Sequence, residues 1–234
     1  MLTACAQATA QPSSLVDSFA GPDGLIAAEG HPSGEDSPWE MTSGSLFRQN
    51  GTGWSGVPDA GGSPGQNGSA VFRMVSKQRD FSDADVTAVM QVDDLVTTDR
   101  TPAQDFDGAH VWIRYESDRQ LYAVSVDRRD STMIIKKKCA GGDSNGGTYY
   151  DLSAQRPDSP IPVGQWQHVR VAVRDEPDGS VSIRAERDGL SLTAVDTGVG
   201  CPPLRGHGAV GIRGDNAELR FASIIVEPAQ PLSG

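Results

Sequence analysis

The sequence predicts an all-β fold, a sandwich or barrel assembled from many short strands. Three observations predict it. The second half of the 234-residue chain repeats segments that mix β-branched and aromatic residues with polar ones, at 111–115, 121–126, 133–136, 168–173, 180–184 and 217–221. Several of these alternate with period two, which sends one set of side chains to a core and the other to water. Turn residues divide them, as in Glu176-Pro177-Asp178-Gly179, Asp188-Gly189 and Gly214-Asp215-Asn216, and short strands at such spacing make a β-sandwich or barrel.

Taken in order, residues 14–19 read as a first strand and Gly21-Pro22-Asp23-Gly24 as its turn. Residues 44–49 form a second strand. Residues 50–69 are rich in Gly, Ser, Pro and Asn around Trp54 and read as a long surface loop, because strand pattern resumes at 70–75. Residues 84–92 continue the sheet, 93–107 connect, and 139–147 read as a second Gly-rich loop. The expected organisation is a tether at 1–14, one domain at 15–228 and a disordered tail at 229–234. No apolar run approaches the roughly 20 residues of a membrane-spanning helix. The net charge of −11 argues against general nucleic-acid binding, which needs Lys and Arg to neutralise phosphates.

Leu2-Thr3-Ala4-Cys5 resembles a bacterial lipobox, with Cys5 as the lipidated residue and a small, polar tether behind it. A lipoprotein signal also needs a basic and an apolar segment, so this reading places the true start upstream of Met1; the alternative is a chance match. The expected location is the cell envelope or outside the cell, with membrane contact only through that anchor. Three cysteines are present. With Cys5 lipidated, Cys139 and Cys201 remain, either as a disulfide in an oxidising compartment or as reduced, buried small side chains.

Gly164-Gln165-Trp166-Gln167-His168-Val169-Arg170-Val171 with Asp178-Gly179-Ser180-Val181 resembles a hairpin of the concanavalin A-like lectin/glucanase superfamily, laminin G-like domains included. Gly208-Ala209-Val210-Gly211-Ile212-Arg213 and Leu219-Arg220-Phe221 are similar to its closing strands, and Asp17-Ser18-Phe19 with Gly44-Ser45-Leu46 to its opening ones. Where many members carry an Asp-Asn pair after the last aromatic, this sequence has Ala222-Ser223. The resemblance implies a two-sheet antiparallel jelly-roll sandwich with one concave sheet. It also implies a glycan binder, a glycan-cleaving enzyme or an adhesion module, and a structural Ca²⁺ for which Asp17, Asp215, Asn216 and Glu218 are the candidate ligands. No other cofactor is expected, and the chain is expected to be monomeric.

The candidate binding residues begin at His110, Trp112 and Arg114, which period two places on one face of their strand, opposite Val111 and Ile113. An indole under a sugar ring and a guanidinium at its hydroxyls or carboxylate would make a glycan site; the competing reading puts Trp112 in the core. Lys136, Lys137 and Lys138, with Arg128 and Arg129 nearby, form a basic patch in an acidic chain. Such a patch suits an acidic polysaccharide such as a uronate polymer, or else protects an edge strand; at most two of the three lysines share a face. Lys136, Lys138 and Asn145 complete the binding set. The Glu-x-Asp-x-x-Glu pattern of jelly-roll hydrolases is absent. Glu116, Asp118 and Asp127 sit near loop ends and do not replace it. A uronate lyase would need a cation against the carboxylate and a base and acid, for which Arg114, His110, Tyr149 and Tyr150 are the candidates.

Overall fold

The structure, a computed structural model, describes residues 13–60 and 69–229. Cys5 and residues 1–12 and 230–234 lie outside the described residues. The strands are β1 (Leu15–Asp17), β2 (Gly24–Ala28), β3 (Trp39–Ser43), β4 (Ser45–Gln49), β5 (Thr52–Trp54), β6 (Val71–Ser76), β7 (Ala84–Leu95) and β8 (Gly108–Ser117). They continue with β9 (Gln120–Arg128), β10 (Ile134–Ser144), β11 (Gly147–Asp151), β12 (Gln167–Asp175), β13 (Val181–Arg187), β14 (Leu190–Asp196), β15 (Ala209–Asp215) and β16 (Ala217–Pro228).

Two antiparallel sheets form a sandwich. One runs β14-β13-β12-β7-β16-β5-β4-β2, with β1 also paired to β16. The other runs β11-β10-β9-β8-β15-β6-β3. Neighbours such as β8 and β15 are far apart in sequence, as a jelly roll requires. Alternation explains the packing. Val169, Val171 and Val173 of β12 point inward with Val86 and Ala88 of β7, and meet Val111, Ile113, Val124 and Ile212 of the other sheet. Each such aliphatic contributes roughly 1.5–3 kcal/mol by leaving water.

Two polar ties cross this core. Lys137, fully buried, donates to Asp196 Oδ1 at 2.8 Å and to the Cys201 carbonyl at 2.6 Å, while Tyr122 donates to Asp196 Oδ2 at 2.6 Å. Arg187 and Gln167 both donate to Asp127, whose carboxyl burial pushes up to about 6 against the pull of Arg187. A Cys139–Cys201 disulfide closes the same end, with Cα atoms 6.0 Å apart and a sequence separation of 62. A loop of that size stabilises by about 4 kcal/mol in the chain-entropy model.

The structure departs from the sequence reading at several elements. β2, β3, β11 and β14 are additional strands, and β5 lies inside the segment read as a loop. The Gly-rich segment 139–147 is largely ladder: Cys139 pairs with Thr148 and Ala140 with Gly147, so β10 continues to Ser144. Glycine signals a turn only when the strand pairing does not claim it.

The four proposed calcium ligands do not gather. Asp17 accepts from Trp39 Nε1 at 2.7 Å and from the Phe19 N–H at 2.7 Å. Glu218 accepts from Trp54 Nε1 at 2.8 Å. Asp215 is clamped by Arg213, and Asn216 donates to Asp107 at 3.1 Å. Each is committed to a different protein donor, and no metal-binding group of three such residues occurs among the described residues.

Candidate functional site

The outer face of the seven-stranded sheet collects most of the candidate residues. Inward-pointing Val111, Val124, Ile135 and Ile212 leave His110, Ser125, Lys136 and Arg213 pointing outward. Tyr149 on β11 and Arg213 on β15 stand four strand spacings apart, about 19 Å along a sheet. Their side chains nevertheless come within 3.5 Å, from Arg213 Nη1 to the Tyr149 hydroxyl. Side chains standing up from a flat sheet would not meet over that span, so the sheet curls and this face is concave.

A cavity of about 370 Å³ lies on it. His110, Trp112, Ser125, Arg128, Tyr149 and Arg213 line it, together with Lys136, Asp105 and Phe106. Trp112 points to the open face, as period two requires, yet is only 1% exposed. It stacks on Tyr115, with ring centroids 5.4 Å apart and planes 11° from parallel, and Tyr149 packs over the same cluster. The ring therefore lies on the concave side of its strand and is buried there. Its Nε1–H is buried without a hydrogen-bond partner, a cost of about 1–3 kcal/mol unless something in the cavity accepts it.

Arg114 does not share this face. β8 carries one extra residue here: Tyr115 pairs with Ala209 and Trp112 with Gly211, so Ile113 and Arg114 oppose the single Val210. Arg114 adopts a left-handed φ of 50°. Gly208 lets the backbones close up, since a Cβ there would lie 2.6 Å from Arg114 Cα. The bulge turns Tyr115 onto the concave face and drives Arg114 toward the other sheet. There it donates to Asp83 at 2.9 Å and Asp175 at 3.2 Å and lines a second cavity of about 400 Å³ with Glu116, Arg205 and His207. Tyr150 also leaves the site: it alternates with Tyr149 and packs on Gly200, where a Cβ would meet its ring at 2.3 Å. Asn145 sits exposed in the β10–β11 turn at a φ of 47°. It serves the turn and does not line the cavity.

The cavity's electrostatics follow from one chain of hydrogen bonds. Burial works to raise the Asp215 carboxyl, but Arg213, bonded to it twice at 2.6 Å, outweighs that and holds it well below the usual range. Asp215 is therefore an acceptor only. His110 Nε2, 3.2 Å away, must carry the hydrogen. Burial lowers the His110 pKa despite Asp215, so the ring is neutral and its Nδ1 accepts from Ser125 Oγ at 2.8 Å. The relay fixes the imidazole and occupies both nitrogens. Burial also raises the Tyr149 phenol despite Arg213, so at neutral pH it is a donor.

The lysines split as alternation demands. Lys136 and Lys138 are on the concave face; Lys137 is in the core. Lys136 pairs with Asp151 at 3.4 Å. Ser125, Arg213 and the polar role of Asp215 were outside the sequence-based binding set. Their signal was present, because Val124 and Val126, and Val210 and Ile212, point inward and leave Ser125 and Arg213 outward.

No family model matches the sequence, and no curated protein matches it. Solved structures do. β-Agarase A in complex with oligoagarose superposes with a TM-score of 0.60 at 12% identity, over 92% of this chain and 90% of that one. β-Agarase B from Zobellia galactanivorans gives 0.58 at 12%, over 94% and 96%. The exoplasmic/lumenal domain of VIP36, in its Ca²⁺/Man3GlcNAc-bound form, gives 0.51 at 12%, over 84% and 86%. At such identities the likeness establishes the fold, and the fold is the concanavalin A-like jelly roll.

Proposed function

We propose that the concave face binds a carbohydrate chain, and that the protein is a glycan-binding domain of the bacterial cell envelope held by a lipid on Cys5. The observation that carries the first part is the cavity itself: Tyr149 and Trp112 rings beside the donors of Arg213, Arg128 and Lys136, the pairing of flat apolar surface with fixed polar groups that sugars need. Structural neighbours bound to oligoagarose and to Man3GlcNAc support the same class of ligand. The disulfide supports an oxidising compartment.

Binding is favoured over cleavage by the hydrogen bonds. A lyase base must have a free lone pair near the proton it removes, and neither nitrogen of His110 is free. A hydrolase acid must hold its proton at working pH, and Asp215 is held ionised by Arg213.

The test is retention on a panel of neutral and acidic polysaccharides, with absorbance of unsaturated uronates read in parallel. Tyr149→Ala should weaken retention about tenfold or more, as loss of a central aromatic contact does, with little change in melting temperature. Product formation would replace the binder with an enzyme. Unchanged retention in Tyr149→Ala would place the glycan elsewhere.

A further inference from the structure

We infer that the concave site selects anionic polysaccharides, through Lys138 acting as the cation kept for the ligand's own charge. This rests on the glycan-binding reading and specifies its ligand class. Four other cations on this face have partners: Arg213 with Asp215, Arg73 with Asp118, Arg128 with Asp130 and Lys136 with Asp151. Lys138 has neither an ion pair nor a hydrogen bond among the described residues. Its residue is 1% exposed, and its ammonium lies 4.9 Å from the centroid of the Tyr149 ring. Its neighbour Lys137, equally buried, has Asp196 and a carbonyl, so this chain does supply acceptors to a buried lysine where the fold needs one.

The Lys138 side chain is nearly out of water, while its Nζ is not among the fully buried atoms that lack a partner, so the ammonium keeps a small exposed edge; an ammonium so placed without an acceptor is still costly. Gly147 leaves room for the stem, since a Cβ there would lie 2.7 Å from Lys138 Cε. Tyr149 supplies its ring face, which attracts the cation. The charged groups acting on Lys138 are Arg213 on β15, Arg73 on β6 and Asp118 in the β8–β9 turn. Asp118 is already engaged by Arg73 at 3.0 Å and Tyr115 at 2.8 Å. Lys138 does not itself line the cavity but lies against Tyr149, which does, so an incoming carboxylate or sulfate beside Tyr149 would meet Arg213 directly and be attracted by the Lys138 charge at that ring.

Burial, then Arg213, holds the Lys138 pKa down to about 8. Binding through the ammonium must therefore weaken as pH rises through that value, while Tyr149, pushed up, keeps its proton.

The experiment compares polygalacturonate, its methyl ester and a sulfated galactan at pH 7, and polygalacturonate again at pH 9, with wild type, Lys138→Met and Lys138→Arg. Lys138→Met removes a charge that has no ion-pair partner among the described residues and should melt no lower than wild type. The expected result is at least about tenfold preference for an acidic polymer over the methyl ester, lost in Lys138→Met and restored in part by Lys138→Arg. A comparable fall is expected between pH 7 and 9 in wild type, with none in Lys138→Met. Preference for the sulfated galactan over polygalacturonate would assign the anion as sulfate. Equal binding of polygalacturonate and its ester, or an unchanged preference in Lys138→Met, would overturn the inference while leaving glycan binding intact. No retention of any polymer would remove both.

Discussion

Asp196→Ala should destabilise the protein by about 3–5 kcal/mol, read as a fall in the urea midpoint at constant slope. The reason is what the change strands. Lys137 has a fully buried side chain, and among the described residues Asp196 is its ion-pair partner. Tyr122 would lose the acceptor of its hydroxyl, and the Gly198 N–H its 2.9 Å bond. The Tyr122 hydroxyl in turn accepts from the Leu204 N–H at 2.8 Å, so the loop behind the disulfide loosens too. Lys137→Met together with Asp196→Leu should recover much of the loss, because replacing a buried pair with apolar groups of similar volume is often close to neutral. Failure of Asp196→Ala to move the midpoint by even 1 kcal/mol would mean that the Lys137 ammonium finds water, contrary to its burial.

Trp112→Ala carries the second large effect, about 3–5 kcal/mol, together with loss of glycan retention. The ring fills the cluster of Val75, Tyr115, Leu121, Ala123 and Ala209, so its removal opens a cavity beneath Tyr149. Trp112→Phe separates the two roles. It keeps most of the packing, removes the Nε1–H that has no protein acceptor, and should weaken binding with a smaller loss of stability. A Trp112→Ala protein as stable as wild type would show the ring to be loosely packed.

Alternation was the legible part of the site. It puts Lys136 and Lys138 on one face and Lys137 on the other, separates Tyr149 from Tyr150, and sets His110 and Trp112 opposite Val111 and Ile113. It failed at Arg114, where an extra residue in β8 breaks the period. That bulge depends on Gly208 lying against it, just ahead of a strand almost a hundred residues later, and no local pattern encodes such register. The strand β14 was missed for a different reason. It is an edge strand with alternate residues in water, and Ser191, Thr193 and Asp196 dilute its apolar signal. Partnering was the least legible feature. Arg213, Asp215, His110 and Ser125 come from β15, β8 and β9, and their proton arrangement follows only once the distances are known. The distinction between Lys137, held by Asp196, and Lys138, which has no acceptor among the described residues, is likewise invisible in a run of three lysines.

The most direct measurement of glycan binding on the concave face uses the indole N–H signals of the four tryptophans in a ¹⁵N-labelled protein. An oligosaccharide from the best-retained polymer is titrated in. Trp39 and Trp54 donate to Asp17 and Glu218, Trp166 is exposed away from the cavity, and Trp112 lines it with a free N–H. The predicted result is a saturable shift of the Trp112 signal, far larger than the other three and matching the affinity from retention. Saturable binding that leaves Trp112 in place while Trp54 or Trp166 moves would contradict the concave site.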